Sequence, residues 1–246
     1  MSTPMQTLED AAFAAWPAHY EADINGWRLR LDSGYTQRAN SLNSTEHSQP
    51  LSDADLAAIE QQFAARGLRP VVRVTSTVQV AGLARVLASR GYRYGGASQV
   101  LWRPLPAPAA GNPQRIRLLS GPAPWASTFA RLSGQPSEEA RAHQAIVQRI
   151  AHPAAWAVLG EGQGAQCCGL GVVVGAQLGL FDIVTGAAFV RRGLAGQLCR
   201  ELLAWGWGQG ARGAFLQVNE GNAAAFALYE KLGFARAYGY GYWVRG

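Results

Sequence analysis

Lysine is nearly absent from this 246-residue chain: Lys231 is the only one among 22 basic residues, and the rest are arginines. Cysteine is scarce as well. Cys167, Cys168 and Cys199 are odd in number, the adjacent pair can hardly bridge to each other, and the spacing matches no zinc site, so a disulfide framework and a structural zinc are excluded and a reducing compartment is expected. No apolar run approaches the length of a membrane-spanning helix. The opening MSTPMQTLEDAAFAAWPA has no basic leader and places Glu9 and Asp10 before a short apolar helix, which does not read as a signal peptide. A soluble, cytoplasmic protein is the expectation. Disorder is excluded too, because only 15% of residues are charged while 48% are apolar and eight are tryptophan, ample for one large or two small cores.

Charge is unevenly divided. Residues 1–105 hold 10 basic and 9 acidic side chains, and residues 106–246 hold 12 and 7, so the net +6 splits into +1 and +5. Such an excess suits an anionic cofactor, an acidic partner or nucleic acid, or is simply solvated arginine. No contiguous basic stripe or docking motif supports the nucleic-acid reading.

The most informative stretch is 181–234. An apolar strand at 180–185 leads through a short connection into Val190-Arg191-Arg192-Gly193-Leu194-Ala195-Gly196, where a helical pattern begins, so free backbone N–H groups and the positive end of a helix converge beside two arginines. Gly193, Ala195 and Gly196 carry no bulky side chain, which leaves room for a pyrophosphate to approach the main chain. A second strand at 215–218, the Asn222-Ala-Ala-Ala segment and the run Leu228-Tyr229-Glu230-Lys231-Leu232-Gly233-Phe234 follow.

Taken together, these parts resemble the GNAT superfamily of acetyl-CoA-dependent N-acetyltransferases. The family's phosphate loop, Gln/Arg-x-x-Gly-x-Gly/Ala, falls on Val190, Gly193 and Ala195, with Val190 departing from the usual Gln or Arg. The resemblance implies an α/β fold, a mixed and mostly antiparallel sheet flanked by helices, and acetyl-CoA as cosubstrate. It places cofactor binding on Arg191, Arg192, Gly193, Leu194, Ala195, Gly196 and Asn222, and backbone pairing with the pantetheine arm on Ile183, Val184 and Thr185. Tyr229 becomes the acid that protonates the departing thiolate. Taken alone, Asn222 could equally be a helix N-cap, and Tyr229 a packed aromatic. Related acetyltransferases often carry a glutamate base where Gln217 stands, and a neutral amide cannot take a proton. Asp182 on the central strand is therefore the candidate base, unless it merely pairs with a nearby arginine.

Ahead of this unit, Arg103-Pro-Leu-Pro-Ala-Pro-Ala-Ala-Gly-Asn-Pro113 disfavours both helix and interior strand, which suggests domains at 1–105 and 114–246 with a linker at 106–113. In the first part, strands are expected at 27–31, 35–42, 71–75 and 98–102, a capped helix at 52–67, and a helix at 80–90 ended by Gly91. In the second, a strand is expected at 115–119, helices at 124–132 and 137–150 with Ser137 as a cap, and a hairpin of 155–159 with 168–174. Superposing Arg90-Gly91-Tyr92 on Leu232-Gly233-Phe234 also brings 71–75 onto 213–217 and the helix at 52–67 onto 194–209, an internal repeat. In the first copy the loop 43–50 lacks glycine and carries Glu46, and Leu87 stands where Tyr229 would be. The segment Gly26-Trp-Arg-Leu-Arg-Leu-Asp-Ser-Gly-Tyr-Thr-Gln-Arg-Ala-Asn-Ser41 resembles the opening of tandem bacterial GNAT proteins that pair a degenerate first copy with an active second one.

Arg38 and Asn40 either line a cleft or bond a strand end, and the structural role is favoured. By analogy with the helical pair that covers GNAT acceptor sites, Arg141, His143 and Gln144 are either acceptor contacts or ordinary surface residues. The aromatics of Tyr238–Trp243 could line an acceptor pocket, although alternating aromatics more often pack on helices. The expected activity is direct acetyl transfer to a small-molecule or peptide amine, without nucleic acid or membrane, by a monomer or homodimer. The alternative, a non-catalytic CoA-binding or acyl-sensing module, is motivated by Val190 and Gln217.

Overall fold

The computed structural model describes residues 5–107, 116–160 and 164–246, so most of the expected linker, 108–113, lies outside the described residues. Helix α1 (Met5–Ala15) leads into β1 (Tyr20–Ile24), β2 (Trp27–Leu31), β3 (Ser41–Asn43), α2 (Asp53–Ala64), β4 (Val71–Thr75), α3 (Leu83–Ser89) and β5 (Tyr92–Pro104). The second part comprises β6 (Arg117–Leu118), α4 (Pro122–Ser133), α5 (Ser137–Gln148), β7 (Ala154–Leu159), β8 (Cys167–Val174), β9 (Gln177–Thr185), α6 (Leu194–Gly208), β10 (Gly213–Asn219), α7 (Ala223–Lys231) and β11 (Ala235–Arg245).

Local chemistry explains several boundaries. Ser52 caps α2 through its hydroxyl to the Asp55 amide, and Asp55 returns a bond to the Ser52 amide, a complete capping box. Asn25 (φ 49°) and Gly26 (φ 78°) form the tight turn of a β1–β2 hairpin; this Asn-Gly pair is the only local mark of β1, which periodicity does not single out. The strand expected at 35–42 is mostly irregular: a short 3-10 turn occupies Gln37–Ala39, and only Ser41–Asn43 pairs with β2. Helix α5 takes Pro136 rather than Ser137 as its N-cap, because Ser137 already has helical geometry and makes no capping bond.

All eleven strands of the described residues lie in one sheet, ordered β1-β2-β3-β4-β11-β5-β10-β9-β8-β7-β6. At its centre β4 pairs with β11, β11 with β5 and β5 with β10, all antiparallel. The final strand of each half therefore lies against the other half: β11 completes the side built from residues before 105, and β5 the side built from residues after 116. Alternation along the strands sends side chains to opposite faces. Phe181 and Phe215 join Trp16, Trp125 and Phe129 beneath α1, α4 and α5, whereas Leu180 and Leu216 join Leu198, Leu202 and Tyr229 beneath α6 and α7. A third cluster, including Trp27, Leu56, Phe63 and Leu87, sits under α2 and α3.

Candidate active site

The parallel ladder between β9 and β10 runs from Gln177/Gly213 to Leu180/Leu216 and then stops. What parts the strands is a bulge on the opposite edge of β9: Cys168 faces Val184 and Leu170 faces Phe181, so Asp182 and Ile183 together oppose the single residue Gly169. Asp182 adopts a left-handed backbone (φ 51°), a conformation that Asp tolerates better than most residues. Glycine is required opposite it, because a Cβ at 169 would stand 2.4 Å from Ile183 Cδ1 and 2.9 Å from Leu198 Cδ2. Beyond the bulge, the facing edges of β9 and β10 are left without ladder partners across the gap, and an extended ligand segment could pair there as an added strand. A cleft of about 430 Å³ opens at this point, within the range of small-ligand sites.

One wall of the cleft carries charge. The Asp182 carboxylate accepts through Oδ2 a 2.9 Å bond from His143 Nε2, while Oδ1 lies 3.9 Å from a nitrogen of the Arg38 guanidinium. Because a carboxylate only accepts, the His143 proton belongs on Nε2, which leaves Nδ1 buried without a partner. His143 is fully buried in an aromatic box, 4.5 Å from the Phe129 centroid and 5.2 to 5.8 Å from those of Tyr35, Trp16 and Trp125. Burial, with Asp182 nearby, pushes the Tyr35 hydroxyl up to about 12. Of the two readings offered for these residues, a surface position fails for buried His143, whereas Arg141 is exposed. The structural role favoured for Arg38 is corrected as well: it lines the cleft, stacked 4.7 Å from the Trp16 ring centroid and 5.7 Å from that of Phe181. Asn40 keeps its structural role, bonding the amides of Asp32 and Gly34 and the carbonyls of Tyr35 and Thr36.

The other wall is α7. Asn222 and Tyr229, two turns apart, both line the cleft, as do Asp182 and Ile183 from β9. Asn222 is also the N-cap of α7, its side-chain oxygen accepting from the Ala225 amide at 3.0 Å. Tyr229 is largely buried and packs edge-to-face on Phe234. Burial, with smaller contributions from Cys199 and Cys167, pushes its hydroxyl well above the ordinary tyrosine range, so the phenol stays protonated. Gln217 is occupied by the Tyr240 hydroxyl at 3.1 Å, and Tyr240 and Tyr242 line the cleft floor while packing into the core.

The basic glycine turn lies beyond this cleft, at the start of α6. Gly193 (φ 77°) is the N-cap and offers no side chain, so the first amides of the helix have no capping partner. Arg191, Arg192 and Gly193 are exposed, and a Cβ on Gly193 would meet nothing within 4 Å. Gly196 is different: a Cβ there would stand 3.3 Å from Leu228 Cδ1, so its smallness also serves the packing of α6 on α7. Leu194 and Ala195 are half-buried. Of the remaining strand residues, Val184 packs into the core, and Thr185 donates its hydroxyl to Cys167 Sγ at 3.3 Å.

Over residues 3–243 the chain matches the family model described as "Probable histone acetyltransferase Rv0428c C-terminal". It belongs to this family of GNAT N-acetyltransferases. Among its relatives are the probable histone acetyltransferase Rv0428c of Mycobacterium tuberculosis, 30% identical over 94% of this chain and 70% of that protein, and the uncharacterized N-acetyltransferase YobR of Bacillus subtilis, 29% identical over 94% of both chains. The fold is similar to that of a GCN5-related N-acetyltransferase from Kribbella flavida (TM-score 0.70, 13% identity, 99% of this chain and 96% of that one). It is also similar to a tandem GNAT protein from the clavulanic acid biosynthesis pathway (TM-score 0.60, 16% identity, 99% and 89%). In this GNAT chain the three thiols are buried, and burial pushes them up, Cys199 to about 12. No group of three or more His, Cys, Asp or Glu side chains among the described residues is placed to hold a metal, and no helix there is long and apolar enough to cross a membrane.

Sequence reasoning offered Arg38 as a cleft-lining residue but did not anticipate that Trp16 and Tyr35 enclose the site. Trp16, Tyr35 and Arg38 lie more than a hundred positions from His143 and Asp182 in the chain, and no local pattern joins them.

Proposed function

We propose that this GNAT enzyme transfers the acetyl group of acetyl-CoA directly to a primary amine in a ternary complex. The observation that carries the reading is the parting of β9 from β10 at the Asp182 bulge, which opens a cleft with Asp182 on one wall and Tyr229 on the other. Bound there, acetyl-CoA supplies an acyl carbon activated by its thioester. The amides of Arg191 to Gly196 and the positive end of α6 hold the pyrophosphate, with the Arg191 and Arg192 side chains beside it. The free edge of β9 at Ile183, Val184 and Thr185 pairs with the pantetheine arm, and Asn222 borders it. Asp182 takes the proton of the amine, directly or through water, as the amine nitrogen bonds to the acyl carbon. The carbon–sulfur bond breaks, and Tyr229 protonates the departing sulfur. His143 holds the Asp182 carboxylate in place. The buried, protonated thiols argue against a covalent acyl-enzyme.

Two features support a degenerate first copy. Between β3 and β4, at the counterpart of the β9–β10 gap, the Ser44 amide bonds the Arg73 carbonyl at 2.9 Å and the Ser44 hydroxyl accepts from the Thr75 amide at 3.0 Å, so the strands stay closed. Leu87, the counterpart of Tyr229, is fully buried. The first half then serves as a wall of the acceptor site through Arg38.

Calorimetric titration with acetyl-CoA tests the reading. One site per chain in the micromolar range, about −8 kcal/mol, is expected. Gly193→Asp should abolish that binding by placing a negative charge among the phosphate-binding amides. Tyr229→Phe should bind normally while its turnover number falls roughly 10²-fold or more. Equal affinity in the Gly193 variant would remove the loop from the site, and an unchanged turnover number would remove Tyr229 as the acid.

A further inference from the structure

Of the residues lining the cleft, Asp182 and Arg38 are the only two that carry charge; the others are neutral polar groups and apolar side chains. Their placement is specific. Asp182 is the only one of the pair tied by a short bond, and that bond engages Oδ2, leaving Oδ1 toward Arg38. The Arg38 guanidinium, partly exposed, is held in one plane by Trp16 and Phe181, and among the described residues its side chain makes no hydrogen bond; the 3.9 Å approach to Asp182 is too long for one. A stacked guanidinium keeps its in-plane N–H donors available, and the planar fork matches a carboxylate. The cleft thus presents an acceptor for an amine and, within 4 Å of it, a donor fork for an anion.

We propose that the acceptor is a zwitterionic amine of the amino-acid type, its amino group at Asp182 Oδ1 and its carboxylate on Arg38. This rests on the acetyltransferase reading above and names its substrate class. A carboxylate carbon two bonds from the amine nitrogen is the right size for the short separation between Asp182 and Arg38. A lysine-rich polypeptide fits less well, because such a ligand would meet one carboxylate, an adjacent arginine and a chain of net charge +6. A simple alkylamine or polyamine would leave Arg38 without an anionic partner in the cleft. The reaction balances as amide formation: the ammonium first gives up one proton to solvent, the free amine nitrogen then gains the acyl carbon and passes a second proton to Asp182, and as the carbon–sulfur bond breaks the thiol leaves with one proton from Tyr229, which the Asp182 proton restores through water, for a net release of one proton.

A panel of L-amino acids tests this, each measured beside its decarboxylated amine and its carboxamide. Two readouts are needed: acetylation rate with acetyl-CoA, and calorimetric binding of the amino acid alone. At least one amino acid should bind and be acetylated, with kcat/KM about 10- to 100-fold above that of its decarboxylated amine. Arg38→Ala should erase most of that preference by raising KM for the amino acid and not for the amine, and Arg38→Lys should restore part of it. Amines that match or exceed every amino acid in the wild-type protein would overturn the proposal, as would the binding of no amino acid in either readout; neither result depends on a variant folding. Should acetyl-CoA fail to bind while an amino acid binds through Arg38, the acetyltransferase reading falls and the recognition site stands.

Discussion

At the scale of single residues, the site depends on one strained backbone and one buried ring. Asp182 holds a left-handed conformation in a strand, and the cost of that conformation, of order 1–3 kcal/mol, is characteristic of functional positions. Its orientation is set by His143, whose aromatic box leaves the ring a single polar partner. Removing the bond while keeping the box filled isolates this effect. His143→Phe should lower kcat about tenfold or more through a less well-placed Asp182, with acetyl-CoA affinity unchanged in calorimetry. A fall in acetyl-CoA affinity of similar size would instead mean that His143 merely supports the fold of the cleft. The sequence offered His143 as either an acceptor contact or a surface residue; its burial depends on Trp16 and Tyr35, which no local sequence signal connects to it.

At the scale of elements, the decisive feature is the bulge where β8 meets β9. The loop, the α6 start and the order strand–helix–strand–helix are legible in the sequence because each leaves local signals: a glycine N-cap, 3.6-residue periodicity, and the Asn222 cap of α7. A bulge leaves none, since it is a mismatch between two strands. Gly169 is its only trace. Gly169→Ala should push against Ile183 and Leu198, lower stability by about 1–3 kcal/mol in urea unfolding, and weaken acetyl-CoA binding by straightening or displacing β9. A variant with wild-type stability and affinity would show that the bulge tolerates a Cβ and does not depend on glycine.

At the scale of the whole molecule, the two halves are joined through exchanged strands and through one buried polar cluster, in which Tyr238 of the second half meets an ion pair of the first. Glu9 of α1 makes two hydrogen bonds with Arg73 of β4, and the Tyr238 hydroxyl of β11 donates to the same carboxylate, so residues from both ends of the chain share one polar cluster. Burial by itself would push the Glu9 carboxyl up; the charge and hydrogen bonds of Arg73, with that of Tyr238, outweigh it and hold the carboxyl below its usual range. A lowered folded-state value means that this contribution to stability is present above the unfolded carboxylate pKa of about 4.3 and is lost as pH falls through the lower folded value. Arg73→Leu should cost about 3–5 kcal/mol at neutral pH by leaving Glu9 charged and unpaired, and Glu9→Gln added to it should recover part of the loss. Denaturant unfolding at pH 7 and below pH 4 checks both. If Arg73→Leu alone were neutral, the Glu9–Arg73 pair would not contribute to the stability of the fold.

The sequence by itself determined the parts that local chemistry encodes: the helices and most strands, the basic glycine turn at 190–196, the family signature through Tyr229, and the unpaired state of the cysteines. Only the tertiary structure decided the β9–β10 gap, the exchange of β5 and β11, the meeting of Arg38 with Asp182 and His143, and the bonding of Ser44 to Arg73 and Thr75 between β3 and β4. The physical reason is one of range. Caps, turns and periodicity are set by neighbours within a few residues, whereas strand partners and the groups that line a cleft are chosen by burial across the whole chain, and many sequences with the same local pattern could satisfy that burial differently.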